Sequence, residues 1–349
     1  MKFGLFDHVE RSTDRSLATQ FDERLEFVAE ADRAGFYCLH VAEHHSSPLN
    51  MVPAPGVYLS AVARATRHIR MGPLVYLLPL YSPLKLAEEI CMLDHMSKGR
   101  LEVGVGRGVS PYELRYHKVD HDESREIFTD AYACLKEALT HDKFSYKGPY
   151  YEYKDVPMPL RPLQYPHPSF WYGSSNATGS TWAGEEGLNF TTNGPTERAK
   201  ANIDAFRAAL AKRSSGPAQP RAEFPGGGPA IAVSRHIYVA DTDAEAVRIA
   251  KPAIEHHARS LNWIRRENNA NDELAKRLNL DRAEDFEAWQ RQEMVIAGSP
   301  ETVRKGIQRQ IDVLGLNYLI CYMFFGNLSL SDALRSQRLF TTEVMPKFS

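Results

Sequence analysis

Short apolar and β-branched runs alternate along this chain with longer stretches in which apolar residues recur every three or four positions. The first pattern belongs to strands buried on both faces, the second to helices laid against them. The runs predict strands over residues 2–6, 36–41, 69–78, 101–105, 170–172, 188–191, 230–239 and 317–323. Helices are predicted between them over 22–35, 83–99, 123–139, 196–213, 243–261 and 299–315. Three of these stretches end on a glycine (Gly35, Gly99, Gly315), the residue that most readily takes the left-handed conformation closing a helix.

Strands alternating with helices in this way predict one (β/α)8 TIM barrel, residues 1–349, with right-handed crossovers. An open, doubly wound sheet is the alternative architecture. Two segments exceed ordinary connections. Residues 213–229 are rich in Pro and Gly and read as a surface connector. Residues 262–298 form a long, polar, partly helical insertion before the last βα unit, placed to act as a lid over the barrel mouth.

Composition narrows the function classes. A formal net charge of −2 leaves no electrostatic footprint for nucleic acid or an anionic membrane. The four cysteines lie far apart without CxxC spacing, which fits a reducing compartment and gives no disulfide framework. No 18-residue apolar run and no signal-like N-terminus is present, so a soluble, cytoplasmic protein is expected.

In a barrel of this kind, chemistry sits where strands end. One strand ends in Glu43, His44 and His45. Adjacent residues of an extended chain point to opposite sides, so the two histidines are poorly placed to share a metal ion. Structural capping and acid–base work both remain open for them. The next cluster, Gly106, Arg107 and Gly108, has GxGxG rather than GxGxxG spacing, with no clear helix starting immediately afterwards. A loop offering Arg107 to a phosphate and a tight turn with a solvated arginine are the two readings. The third cluster, "GSSNATGS" from Gly173 to Ser180, suits either an anion seat at a helix N-terminus or an ordinary N-cap. Arg125, in the first turn of a helix, sits unfavourably against the helix dipole unless an anion is near. "SPET" at residues 299–302 reads as structural capping.

Together, "MKFGLF", "DRAGFYCLHVAEHH", "LLPLYSPLKLAEEICMLDHMSKGRLEVGVGRG", "SREIF", "WYGSSNATGSTWAGEEGL" and "AGSPETV" resemble, in order, the bacterial luciferase-like flavin-dependent monooxygenases of the α-subunit type. The resemblance implies reduced FMN as co-substrate at the barrel mouth, and oxygenation of a small organic substrate through a flavin hydroperoxide. A separate NAD(P)H:flavin reductase would supply the flavin, and the protein would be a homodimer or heterodimer. Carried over by residue, His44 is the catalytic proton-transfer group and Glu43 a pocket acid near the flavin ring. Arg107 and Arg125 hold the phosphate, with backbone donors at Ser175, Asn176 and Gly179. Leu74–Val75 is the place of a non-proline cis peptide under the ring. His45 is structural. Gly106 stands where luciferase has a cysteine, opening room near the ring, and Gly179 replaces a threonine; both differences argue against luminescence. A deazaflavin-dependent reductase and a non-catalytic partner subunit are the competing functions. Phe6, Tyr76, Tyr81, Phe324 and Phe325 are candidate pocket aromatics, and the apolar helix over 54–66 is a candidate dimer interface.

Overall fold

A computed structural model describes residues 1–213, 224–268 and 284–348. The chain opens with β1 (Lys2–Asp7), α1 (Leu17–Ala34), β2 (Cys38–Val41), α2 (Pro55–Ala65), β3 (Arg70–Pro73) and β4 (Tyr76–Leu77). Next come α3 (Pro83–Met96), β5 (Val103–Gly106), α4 (Pro111–Tyr116), α5 (Ser124–Thr140) and an antiparallel hairpin, β6 (Lys143–Lys147) and β7 (Glu152–Pro157). β8 (Phe170–Gly173), α6 (Ala177–Glu186), β9 (Asn189–Thr192), α7 (Thr196–Lys212), β10 (Ile231–Val239) and α8 (Asp243–Glu267) follow. The last described elements of the barrel are α9 (Phe286–Arg291), β11 (Val295–Gly298), α10 (Pro300–Leu314), β12 (Tyr318–Tyr322) and α11 (Leu330–Leu339).

The parallel sheet runs β3-β2-β1-β12-β10-β9-β8-β5-β4. β3 and β4 are two halves of one stave, broken at the cis peptide between Leu74 and Val75. The β4–β5 pairing, with a bridge from Met71 to Leu101, closes the ring. The eight expected strands are therefore the staves of a barrel, and the open-sheet alternative falls away. Local chemistry ends the helices as the sequence implies. Ser16 caps α1 through the Thr19 N–H, and Gly35, Gly99 and Gly315 take φ of 85°, 76° and 63°.

Besides the β6–β7 hairpin and α11, which the sequence reading did not place, three features differ from it. β11 is a ninth strand, paired with the outer end of β10 from His236 to Val239; a four-residue apolar run abutting the Ser299 cap carries little strand periodicity of its own. Much of the expected 262–298 insertion is thus regular structure, with residues 269–283 outside the described residues, as are 214–223 of the connector. Lastly, a short helix, α4, does follow the Gly106–Gly108 loop. Ser110 caps it by accepting from the Glu113 N–H, and Pro111 occupies its first turn.

The N-terminal end of the barrel is plugged. Trp171, Tyr318 and Phe224 pack against one another inside it, Trp171 and Phe224 edge to face. Arg70 and Glu102 form a buried ion pair there, with Glu102 also accepting from Trp171 Nε1 at 2.7 Å. The opposite end opens into two cavities.

Candidate active site

Two joined cavities occupy the C-terminal mouth. His8, His44, Val109, Glu113, Asn193, Ser234 and Tyr322 border both. The first, about 210 Å³, brings together every residue singled out from the sequence for the site: Glu43, His44, Leu74, Val75, Gly106, Arg107, Arg125, Ser175, Asn176 and Gly179.

His44 follows β2 and stands where the cavities meet. Its Nδ1 lies 3.0 Å from Glu113 Oε1 on α4. Burial alone would lower the His44 pKa, but the Glu113 carboxylate outweighs it and the value is raised above the usual range. Glu113 was missed in the sequence. Its trace was the Ser110-x-x-Glu113 capping-box pattern.

Glu43 is buried and triply held, by His45 Nε2 at 2.9 Å, the Leu77 N–H at 3.1 Å and Tyr81 OH at 3.0 Å. Burial raises its pKa despite these partners. His45 therefore positions Glu43, in keeping with its structural reading.

At the other end of this cavity, Arg107 after β5 and Arg125 in the first turn of α5 face β8 and α6. Among the described residues neither guanidinium has an acidic partner. Burial and the charge of Arg125 hold Arg107 below its usual range. Asn176 caps α6, its Oδ1 accepting from the Gly179 N–H at 2.9 Å, so that amide is already engaged. Ser175 makes no hydrogen bond among the described residues.

Two expectations are corrected. Gly106 opens no space: a Cβ there would meet Val75 Cγ2 at 2.3 Å, because the Val75 side chain fills the gap. Of the five candidate aromatics only Phe6 lines a cavity. Tyr81 holds Glu43, Tyr76 donates to Glu89 at 2.8 Å, Phe324 stacks on Arg24, and Phe325 is buried against His236. Tyr172, Tyr322, Tyr112 and Trp289 are the aromatic wall instead.

A model of the luciferase-like monooxygenase family matches residues 1–316. The chain belongs to this family. It is similar to the uncharacterized protein y4wF of Sinorhizobium fredii, 35% identical over 99% of this chain and 97% of that one. It is also similar to the oxygenase component of the flavin-dependent trigonelline monooxygenase of Acinetobacter baylyi, at 26% identity over 78% and 75% of the two chains. The fold matches the oxygenating constituent of 3,6-diketocamphane monooxygenase from Pseudomonas putida, a type II Baeyer-Villiger enzyme in complex with FMN. That match has a TM-score of 0.78 at 24% identity, covering 100% of this chain and 99% of the other. Coenzyme F420-dependent enzymes share the barrel as well. Among the described residues no helix is long and apolar enough to cross a membrane.

Proposed function

We propose that this protein is the oxygenase component of a two-component monooxygenase that uses reduced FMN, supplied by a separate NAD(P)H:flavin reductase, and O₂ to oxygenate a small organic substrate. The observation that carries the reading is the polarity of the first cavity: two guanidiniums without counter-charge at one end, a histidine–carboxylate pair at the other. Arginines without an acidic partner among the described residues, converging beside the Ser175 amide ahead of α6, favour a phosphate there. The apolar strip from Leu74 to Leu77, with Phe6 and Tyr172, gives a flat ring a dry surface.

Reduced FMN, when bound, supplies the electrons that activate O₂. The remaining work falls to the chain. Arg107, Arg125 and the amide of Ser175 would hold the phosphate, and Glu43, fixed by three donors, lines the same cavity. His44, whose protonated form Glu113 favours, delivers and recovers one proton at Nε2. Exclusion of water from the second cavity falls to Ile264, Trp289 and Met294, which wall it.

Anaerobic titration with reduced FMN, followed by stopped-flow mixing with oxygenated buffer, tests this. Saturable binding and a transient absorbing between the reduced and oxidised flavin spectra are expected. Binding of reduced F420 with no response to O₂ would establish the deazaflavin reductase, and binding of neither would leave the non-catalytic subunit.

A further inference from the structure

The second cavity, about 220 Å³, contains chemistry that flavin binding does not use. Its far wall holds a second histidine–carboxylate pair. His257 Nδ1 on α8 lies 2.7 Å from Glu10 Oε1, in the segment after β1. The same oxygen accepts the Gly326 N–H at 3.1 Å, so the Glu10 carboxylate is fixed and His257 is oriented by it. With Nδ1 committed to Glu10, Nε2 is the atom left to meet a ligand. Both side chains are almost wholly buried, at 3% and 2% exposure.

A buried carboxylate in an apolar wall is costly, and a neutral glutamine could cap Gly326 equally well. Burial pushes the Glu10 carboxyl up, but His257, the Gly326 N–H and Arg24 together hold it below the usual range. The Glu10 carboxyl, with Arg24 nearby, therefore favours its ionised form. The groups facing His257 from the surrounding elements are His8, His236 on β10, Trp289 on α9 and Tyr322 on β12. Burial holds both His8 and His236 well below the usual histidine range, hence neutral. His8 bridges the two pairs, with ring centroids 5.6 Å from His44 and 5.4 Å from His257.

Part of the remaining wall is flat and apolar. Tyr322 stacks on His236 at 4.3 Å, and Trp289 stands edge-on to His236 at 5.2 Å. Tyr112, Leu261 and Ile264 extend it, while Arg198, Arg265, Asn193, Ser47 and Ser234 give the cavity its polar lining. Ligand atoms of His8, Glu10 and His257 all lie within 4.8 Å of one another, yet the Glu10–His257 contact already has hydrogen-bond length and direction, which favours a proton over a shared cation.

We propose that Glu10–His257 is a second acid–base centre, which takes the proton from an acidic hydroxyl on an sp² carbon, a phenol or enol, of a planar and largely apolar substrate in the second cavity. The O–H proton passes to His257 Nε2, its bonding pair stays on oxygen, and the resulting imidazolium keeps its Nδ1–H on Glu10. His257 is the catalytic residue and Glu10 the positioning one. The inference rests on the oxygenase reading of the same site, because ionisation makes such a ring a better nucleophile toward an oxygen donor beside His44.

7-Hydroxycoumarin, whose excitation spectrum differs between its neutral and ionised forms, is a suitable probe at a pH where the free dye is neutral, with EDTA present. Wild-type protein, with and without FMN, is expected to bind it as the anion, while 7-methoxycoumarin competes without ionising. Glu10→Gln and His257→Gln should lower the bound anion-to-neutral ratio roughly tenfold or more, one pKa unit. Quenching of FMN fluorescence, read on the same samples, should be unchanged in both variants. A dye bound neutral by the wild type, or bound equally ionised by both variants, or not bound by protein that takes up FMN, overturns the proposal. Loss of FMN binding in the wild type would instead remove the flavin reading, and the dye spectra would still decide the dyad.

Discussion

At the scale of single residues, the site depends on pairs that hold one another. His44 owes its raised pKa to Glu113, against the opposing effect of burial. In Glu113→Gln that charge is gone and burial is opposed only by the smaller effect of Glu43, so the His44 titration should fall from its raised position, as ring-proton NMR would show. The sign for stability follows. A raised histidine pKa stabilises the folded state fully below the ordinary value, and this gain disappears as pH climbs through the raised one. The stability gap between wild type and Glu113→Gln should therefore be widest on the acid side of that window and narrow toward alkaline pH; a gap that widened upward would contradict the pairing. Gly106 makes a second residue-scale case. Because Val75 occupies the space a side chain at 106 would need, Gly106→Ala should cost about 1–3 kcal/mol in denaturant unfolding. Adding Val75→Ala should recover much of that loss, since the two changes share one contact.

Among the elements, the staves differ in what they carry. The outer ends of β2, β5 and β8 hold Glu43–His44, Arg107 and the α6 N-terminus, so shifts between staves would separate the proton group from the anion seat. The plug at the other end resists such shifts. Arg70 bonds to Glu102, to Leu101 O at 3.1 Å and to Gln164 Oε1 at 2.8 Å, tying β3, β5 and the segment before β8 together. Glu102→Gln leaves a buried guanidinium without its counter-charge and should cost roughly 3–5 kcal/mol. Urea unfolding of the two proteins measures it, and a loss under about 1 kcal/mol would show that the carbonyls alone suffice to hold Arg70. This network, unlike the site, makes no contact with either cavity, so flavin affinity at low denaturant should be little changed.

For the whole molecule, α2 and α3 pack side by side on the barrel's outside and leave apolar side chains uncovered. Val57 is 77% exposed and Met92 55%. Exposed apolar side chains on adjoining helices favour a second subunit, and a dimer through this face is expected. Light scattering after size exclusion should give twice the 39.4 kDa chain mass. The double variant Val57→Glu, Met92→Glu should elute as a monomer, whereas a wild-type monomer would refute the interface.

What the amino-acid order determined on its own is whatever depends on near neighbours. Strand and helix periodicity, the caps at Ser16 and Ser299, and the glycines ending α1 and α10 are all decided within a few residues, and from them the barrel could be read. The strand-end clusters at 43–45, 106–108 and 173–180 were legible for the same reason, since polar residues abutting an apolar run mark a strand end whatever surrounds it. Tertiary structure alone decided the partners. Glu113 lies 69 positions from His44, and Glu10 lies 247 from His257; no periodicity spans such distances, and only ring closure brings those loops to one mouth. The same holds for Val75 filling the place beside Gly106, and for β11, whose four residues form a strand because β10 extends past the ring to meet them. Local sequence set the elements, while long-range packing chose which of their side chains would share a cavity, and so which could share a proton.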